Sequence, residues 1–178
     1  MLSIANQIKW ISSSGGPLIL MDRSLSSNWL GDSAHDSHPY LDLVSDYDRA
    51  CQVEDYLALI DVDKSKALVF GDLPSQTTKV SADSDLILLA RWIWGENEDD
   101  IKHALQEFNV SQSWSDTGLS IQLKTHELIV FDSVFPGNEV ENSIDIKTEP
   151  GTFNVYYVSY EPNEKTNLFM IKLERKYM

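Results

Sequence analysis

The chain has 178 residues and carries 28 Asp and Glu against 14 Lys and Arg, a net charge of -14 at pH 7. Such a field repels nucleic acid and anionic membrane and attracts cations and basic proteins, so neither a nucleic-acid nor a membrane partner is expected. Hydrophobic residues make up 42%, with five Trp, seven Tyr and six Phe, which supplies a packed core and excludes an acidic disordered tail.

The length fits one domain spanning residues 1–178, with room for two lobes. No apolar run reaches the ~18 residues of a membrane span. The start, Met1-Leu2-Ser3-Ile4-Ala5-Asn6, lacks the basic region and apolar stretch of a signal peptide. Cys51 is the single cysteine, so an intrachain disulfide or a cysteine-pair zinc site is excluded. A cytoplasmic location is the expectation.

In chain order, Ile8 to Ile11 and Leu18 to Met21 are short apolar runs around Ser12-Ser13-Ser14-Gly15-Gly16-Pro17, which reads as a tight loop. Residues 22–45 show no periodicity and hold many turn formers, which predicts a long irregular surface segment. Ser45, with Asp48 three residues on, has the form of a capping box opening a short helix. Tyr47, Ala50 and Cys51 would face inward, and the chain would leave the helix near Asp55. Tyr56 to Val62 and Ala67 to Phe70 read as strands, the second ending at Gly71-Asp72-Leu73-Pro74.

Leu86 to Trp94 is the most apolar run, which predicts a strand buried on both faces. Arg91 lies within it, and a buried guanidinium calls for an acidic partner. Ile101, Ala104, Leu105 and Phe108 then recur at helical spacing. Glu96, Glu98, Asp99 and Asp100 stand where the helix dipole favours negative charge, and Glu98 is placed to pair with Lys102. After Gly118 the period becomes two: Leu119, Ile121 and Leu123 alternate with polar residues. Leu128 to Phe131 is near enough to form a hairpin with that strand. Thr152 to Tyr160 and Asn167 to Arg175 complete the set. The fold class is α+β, mainly antiparallel sheet with one or two helices.

Few motifs carry chemistry. Ser14-Gly15-Gly16-Pro17 lacks the Lys-Ser/Thr ending of a phosphate loop and is followed by an apolar strand, so it reads as a glycine-dependent turn. Asp61 to Asp72 partly fits a calcium loop, but Lys66 stands where glycine is required, and a polar hairpin turn is the better account. His35 and His38 have ligand-like spacing, which keeps a metal-dependent hydrolase using them and nearby carboxylates as an alternative. Two exposed histidines in a polar loop, ahead of Pro39, are the plainer account. There is no Gly-x-Ser-x-Gly elbow, and Cys51 has no basic neighbour except Arg49. Trp10, Trp92, Trp94 and Trp114 lie in or beside apolar strands and suit core packing. No catalytic constellation, resident metal or cofactor is expected.

The acidic segment differs in kind. Between Asp32 and Asp63 stand nine acids and one base, Arg49. Trp29, Tyr40, Leu41, Tyr47 and Tyr56 are interleaved with them or border them. Rigid aromatic area beside carboxylates is the composition of an interface for a basic partner.

Several stretches, read in order, resemble the immunity protein 21 family of bacterial polymorphic-toxin systems. They are Trp10-Ile11 with Ser14-Gly15-Gly16-Pro17-Leu18; Asp46-Tyr47-Asp48-Arg49-Ala50-Cys51; Asp55-Tyr56-Leu57; Gly71-Asp72-x-Pro74 with Thr77-Thr78; Arg91-Trp92; Trp114-x-Asp116-Thr117-Gly118; and Phe131-Asp132-Ser133. Gly151-x-Phe153 and Tyr160-Glu161-Pro162 extend the likeness, while residues 22–45 have no counterpart in it. The resemblance implies an α+β protein, not an enzyme, that neutralises a cognate toxin by binding it.

Residue chemistry adds where. An acidic inhibitor suits a basic toxin site such as a nuclease cleft, where it mimics phosphate charge. Asp36, Asp42, Asp46, Asp48, Glu54 and Asp55, with Tyr40 as an aromatic anchor, are the expected toxin-facing residues. The Glu96 to Asp100 cluster is a second candidate edge. Trp10, Gly15, Gly16, Pro17, Arg91, Trp92 and Trp114 are expected to hold the fold. A general acidic adaptor without a toxin is the remaining alternative.

Overall fold

Period-two alternation in most strands, and continuous apolar runs in the central ones, build two five-stranded sheets packed face to face. The computed structural model describes residues 8–33, 44–71 and 75–177. The first sheet has the order β2-β3-β1-β7-β8, from β1 (Leu18–Asp22), β2 (Ala58–Val62), β3 (Ser65–Phe70), β7 (Glu127–Asp132) and β8 (Ser143–Lys147). The second has the order β4-β5-β10-β9-β6, from β4 (Gln76–Ala82), β5 (Leu86–Gly95), β6 (Ser115–Leu123), β9 (Gly151–Asn163) and β10 (Thr166–Arg175). Every pairing between these strands is antiparallel.

The main core lies between the sheets. Leu18, Leu20, Leu68, Phe70, Leu128 and Val130 meet Ile87, Leu89, Phe153, Val155, Ile171 and Leu173, each set recurring at every second residue as a pleated strand requires. The outer face of the first sheet is covered by a 3-10 turn at Arg23–Asn28 and a short helix, α1 (Asp46–Cys51): Ile19, Met21, Val69 and Phe131 pack there with Leu25, Trp29 and Ala50. The outer face of the second sheet is covered by α2 (Glu98–Glu107), whose Ile101, Ala104 and Leu105, with Phe108 beyond it, pack on Ala90, Leu168 and Met170. Double coverage is why β1 and residues 87–91 of β5 are buried on both faces.

The structure bears out the α+β reading. It also bears out the Ser45–Asp48 capping box, in which each residue's side chain accepts from the other's backbone N–H, and the Glu98–Lys102 pair at 3.2 Å. Asp63 and Lys64 form the two-residue turn between β2 and β3, with Asp63 at φ 52, so the calcium-like stretch begins as a hairpin.

Several expectations are corrected. β6 and β7 do not form a hairpin: β6 is an edge strand of the second sheet, and β7 lies between β1 and β8 in the first. Each needs its apolar face on the common core, and the turn between them is held at the end of β1. There Asp22 accepts from the Lys124 and Thr125 amides, both at 2.7 Å. Ile8 to Ile11 makes no named strand; Ile11 forms a single bridge to Thr77. Cys51 is exposed at the end of α1, because this short helix turns only Ala50 fully inward. The segment after β1 is not all surface: Leu25 and Trp29 are buried, and the Trp29 indole N–H donates to the Ser133 carbonyl at 2.9 Å.

Candidate functional site

The stretches numbered 14–17, 46–51 and 131–133 converge beside β1 and β7. The Ser14 amide donates to Asp132 Oδ2 at 2.6 Å. The Ser133 amide and hydroxyl both donate to the Pro17 carbonyl, at 3.2 and 2.7 Å. Tyr47 of α1 lies against Gly16. Gly15 has φ 131, a conformation that favours glycine. Residues 14–17 thus form a strap tied to β7 and its extension through the Ser14 amide and the Pro17 carbonyl.

On the opposite side of the molecule's second sheet, Trp10 and Trp92 pack together, ring centroids 5.6 Å apart. Trp114 meets Phe108 edge-on at 5.7 Å and lies under the Lys172 ammonium at 5.1 Å. All three tryptophans pack against the cluster beneath α2. Arg91 is 2% exposed. Its Nη1 donates to the Gly71 carbonyl at 3.0 Å.

The expected acidic contacts divide into three groups. Asp36, Tyr40 and Asp42, like His35 and His38, lie outside the described residues. Asp46 and Asp48 are engaged locally. Asp46 accepts from the Leu30 amide at 2.7 Å and from Arg49 at 2.5 Å, and Asp48 closes the capping box. Arg49 also donates to the Asp61 carbonyl at 2.8 Å, which fixes α1 to β2. Asp61 itself is bonded by Lys66, whose hydrogen bond and charge hold its carboxyl below the ordinary value. Glu54 and Asp55 are exposed and accept no hydrogen bond or ion pair from the described residues.

The Glu96 to Asp100 edge is also largely engaged. Glu96 pairs with Lys165, Lys102 with Glu98 and Asp99, and Asp100 with the capping Asn97.

Glu54 and Asp55 lead into a groove that local sequence reading did not anticipate. At the mouth of the sandwich, Tyr56 stands 5.3 Å from Phe169 and 6.3 Å from Tyr157, centroid to centroid, and those two stack at 5.1 Å. Gly71 admits the chain here, since a Cβ on it would lie 2.3 Å from the Asp55 carbonyl oxygen. Tyr56 remains 51% exposed. Two adjoining hollows meet at Tyr56 and Tyr157: one is lined by Asp55, Asp116, Thr117 and Leu119, the other by Ile93, Ser159, Asn167 and Phe169, with Arg91. The site thus combines an aromatic wall with unpaired acids. Among the described residues, no three His, Cys, Asp or Glu side chains come together as a metal site, and no helix is long and apolar enough to cross a membrane.

The sequence model of a family described as Immunity protein 21 matches residues 9–166, which takes in the strap, α1, Tyr56 and every strand up to β9. No curated protein and no solved structure matches the chain. The match covers most of the sequence, and the chain belongs to the immunity protein 21 family.

Proposed function

We propose that this immunity protein neutralises its cognate toxin by forming a 1:1 complex, without catalysis. Its acidic surface around Tyr56 covers a basic toxin site such as a nuclease cleft. The observation that supports this reading most directly is the pairing of exposed Tyr56 with Asp55 and Asp116 in one hollow, with Glu54 beside them. An amphipathic aromatic among unneutralised carboxylates offers contact area together with a field that steers a cationic partner. Asp46 and Asp48 already satisfy backbone donors and Arg49, so their negative charge is partly committed.

The test uses the cognate toxin domain. Glu54→Gln, Asp55→Asn and Asp116→Asn together preserve shape, and Asn at 116 keeps the acceptor that bonds the Gly118 amide. The triple variant is expected to keep the parent's unfolding midpoint, to associate about tenfold more slowly at low salt, and to lose much of the salt dependence of association. Equal association and equal protection of cells by parent and variant would remove the acidic-surface mechanism.

A further inference from the structure

The two sheets end in the edge strands β2, β8, β4 and β6, and β6 differs from the rest in having no group that blocks it. We infer, resting on the toxin-binding reading above, that the outer edge of β6 at residues 120–122 is a strand-addition site. Its occupant is an extended, basic segment of the toxin, held through backbone hydrogen bonds.

The register fixes which backbone groups face outward. Along an antiparallel strand, residues bonded to one neighbour alternate with residues directed at the other side. The Lys176 amide donates to the Thr152 carbonyl at 2.8 Å, so the even-numbered residues of β9 face β10 and the odd-numbered ones face β6. The Val155 carbonyl agrees, since it accepts from the Thr117 hydroxyl of β6 at 2.6 Å. Ile121 and Leu123, opposite Phe153 and Gly151, are therefore bonded to β9. The N–H and C=O groups of Ser120 and Gln122 point out of the sheet, and both residues are exposed. The open stretch is short. An irregularity in the ladder precedes Ser120, and the Lys124 amide is taken by Asp22.

Each of the other edges carries a block. At β4, Thr77 exchanges both backbone bonds with Ile11, at 2.9 and 2.8 Å. At β8, the Ser143 and Asp145 carbonyls accept from the Lys9 and Lys79 ammonium groups, at 2.6 and 3.3 Å. At β2, the Asp61 carbonyl accepts from Arg49 at 2.8 Å, which leaves Leu59 alone facing outward. Among the described residues, no group bonds the outward N–H and C=O of Ser120 and Gln122. Charged side chains also guard an edge against strand pairing. Asp61, Asp145 and Lys79 stand within β2, β8 and β4, whereas Thr117 to Leu123 of β6 carry no charge and no proline.

The surroundings of the edge name its occupant. Unpaired backbone donors and acceptors in a row are matched by another extended backbone. Leu119 beside the edge and Leu59 across the sandwich pack on the main core yet stay half-buried. β2 runs beside β6, so a strand laid along β6 is placed to cover both leucines with an apolar side chain. Asp116 stands near the start of β6, in the hollow it shares with Asp55. Neither carboxylate has an ion pair among the described residues, so basic residues of the added segment belong at that end. The net charge of -14 favours a basic segment there over a second copy of this chain.

Two arms test the assignment. In the first, amide hydrogen exchange is followed by NMR in the free chain and in its complex with the cognate toxin domain. The Ser120 and Gln122 amides are expected to exchange fast in the free chain, beside slow Ile121 and Leu123, and to slow at least about tenfold in the complex. Exchange unchanged by the toxin overturns the inference. Slow exchange in the free chain that deepens with protein concentration gives the edge to a second copy and overturns it too. In the second arm, Gln122→Pro removes an outward donor that the β6–β9 ladder does not use, a position where an edge strand tolerates proline. Toxin affinity is expected to fall at least about tenfold, through faster dissociation, while Gln122→Ala stays within about twofold of the parent. Parent-like affinity in a folded Gln122→Pro overturns strand addition, as does an equal loss in Gln122→Ala; if the proline variant does not fold, the exchange arm decides. Should the proline variant bind like the parent while the Glu54, Asp55 and Asp116 triple variant associates slowly, the immunity reading stands without this edge. Should only the proline variant weaken the complex, the acidic-surface mechanism fails and the edge stands.

Discussion

The ring of Tyr47 occupies the space that a side chain at Gly16 would need: a Cβ there would lie 2.4 Å from Cε2 and 2.6 Å from the hydroxyl oxygen. Glycine is required at this position for close approach, whereas at Gly15 it is the φ of 131° that requires it. The neighbouring Cys51 thiol, burial, and the negative charges of Asp132 and Asp32 push the Tyr47 pKa up to about 12, so the phenol stays neutral. Gly16→Ala is predicted to cost about 1–3 kcal/mol, the range for overfilling a packed site. Adding Tyr47→Ala makes room, so the double variant should lose less than the sum of the two single changes. Urea unfolding of the four proteins measures that coupling; strict additivity would mean the ring moves aside freely.

Where one strand or helix carries its own signal, the sequence was legible. The apolar runs of β1 and β5, the helical repeat of α2 and the capping box before α1 are all local patterns. β4 was not read because Gln76-Thr77-Thr78-Lys79-Val80 has little apolar content; it is ordered by Thr77 bridging Ile11 and by its ladder to β5. β8 is five residues long, too short for alternation to stand out. The strand partners of β6 and β7 depend on which sheet each joins, and sequence proximity carries no information about that. For the site, the acid count could not distinguish Asp46 and Asp48, already bonded, from Glu54 and Asp55. The groove was invisible because Tyr56, Tyr157 and Phe169 meet only once the sandwich has closed.

That division of the acids is itself testable. Asp48→Ala removes a capping box and should cost about 1 kcal/mol. Asp46→Ala unbonds the Leu30 amide and Arg49 and should cost about 1–2 kcal/mol. Glu54→Gln and Asp55→Asn, at exposed positions, should stay within about 0.5 kcal/mol of the parent. Thermal melts rank the four; a large loss at Glu54 or Asp55 would show a structural role that their exposure does not indicate.

Asp22 gives stability a pH dependence. Its carboxylate is 1% exposed and accepts from the Ser24 and Thr125 amides and hydroxyls and from the Lys124 amide. Burial alone would raise its pKa, but the bonds from Ser24 and Thr125 outweigh burial and leave it below 3.8. A carboxyl depressed by folding contributes fully above its unfolded value and loses that contribution as pH falls through the folded value. Asp22→Asn should therefore cost about 1.5–3 kcal/mol at pH 7, and its deficit should shrink below about pH 4. Unfolding curves from pH 7 to 3 check this; a deficit constant over that range would show that the charge of Asp22 is not what the donors read.

Arg175 joins two turns that no strand ladder connects. Its Nε donates to the Ser84 carbonyl at 2.8 Å and lies 3.0 Å from Asp85 Oδ1, in the turn between β4 and β5. Nη1 and Nη2 donate to the Pro150 and Glu149 carbonyls, both at 2.7 Å, ahead of β9. The guanidinium also sits 5.0 Å from the Phe153 ring centroid. Gly151 leaves space for it, since a Cβ there would lie 2.2 Å from Nη1. Three carbonyls in different directions suit a planar fork and not a point charge. Arg175→Ala is predicted to cost about 2–3 kcal/mol, and Arg175→Lys to recover less than half of that. Hydrogen exchange should locate the loss in residues 83–86 and 149–152, leaving the β1–β7 ladder protected until global unfolding. A lysine variant as stable as the parent would mean that charge alone, through Asp85, holds this end of the second sheet.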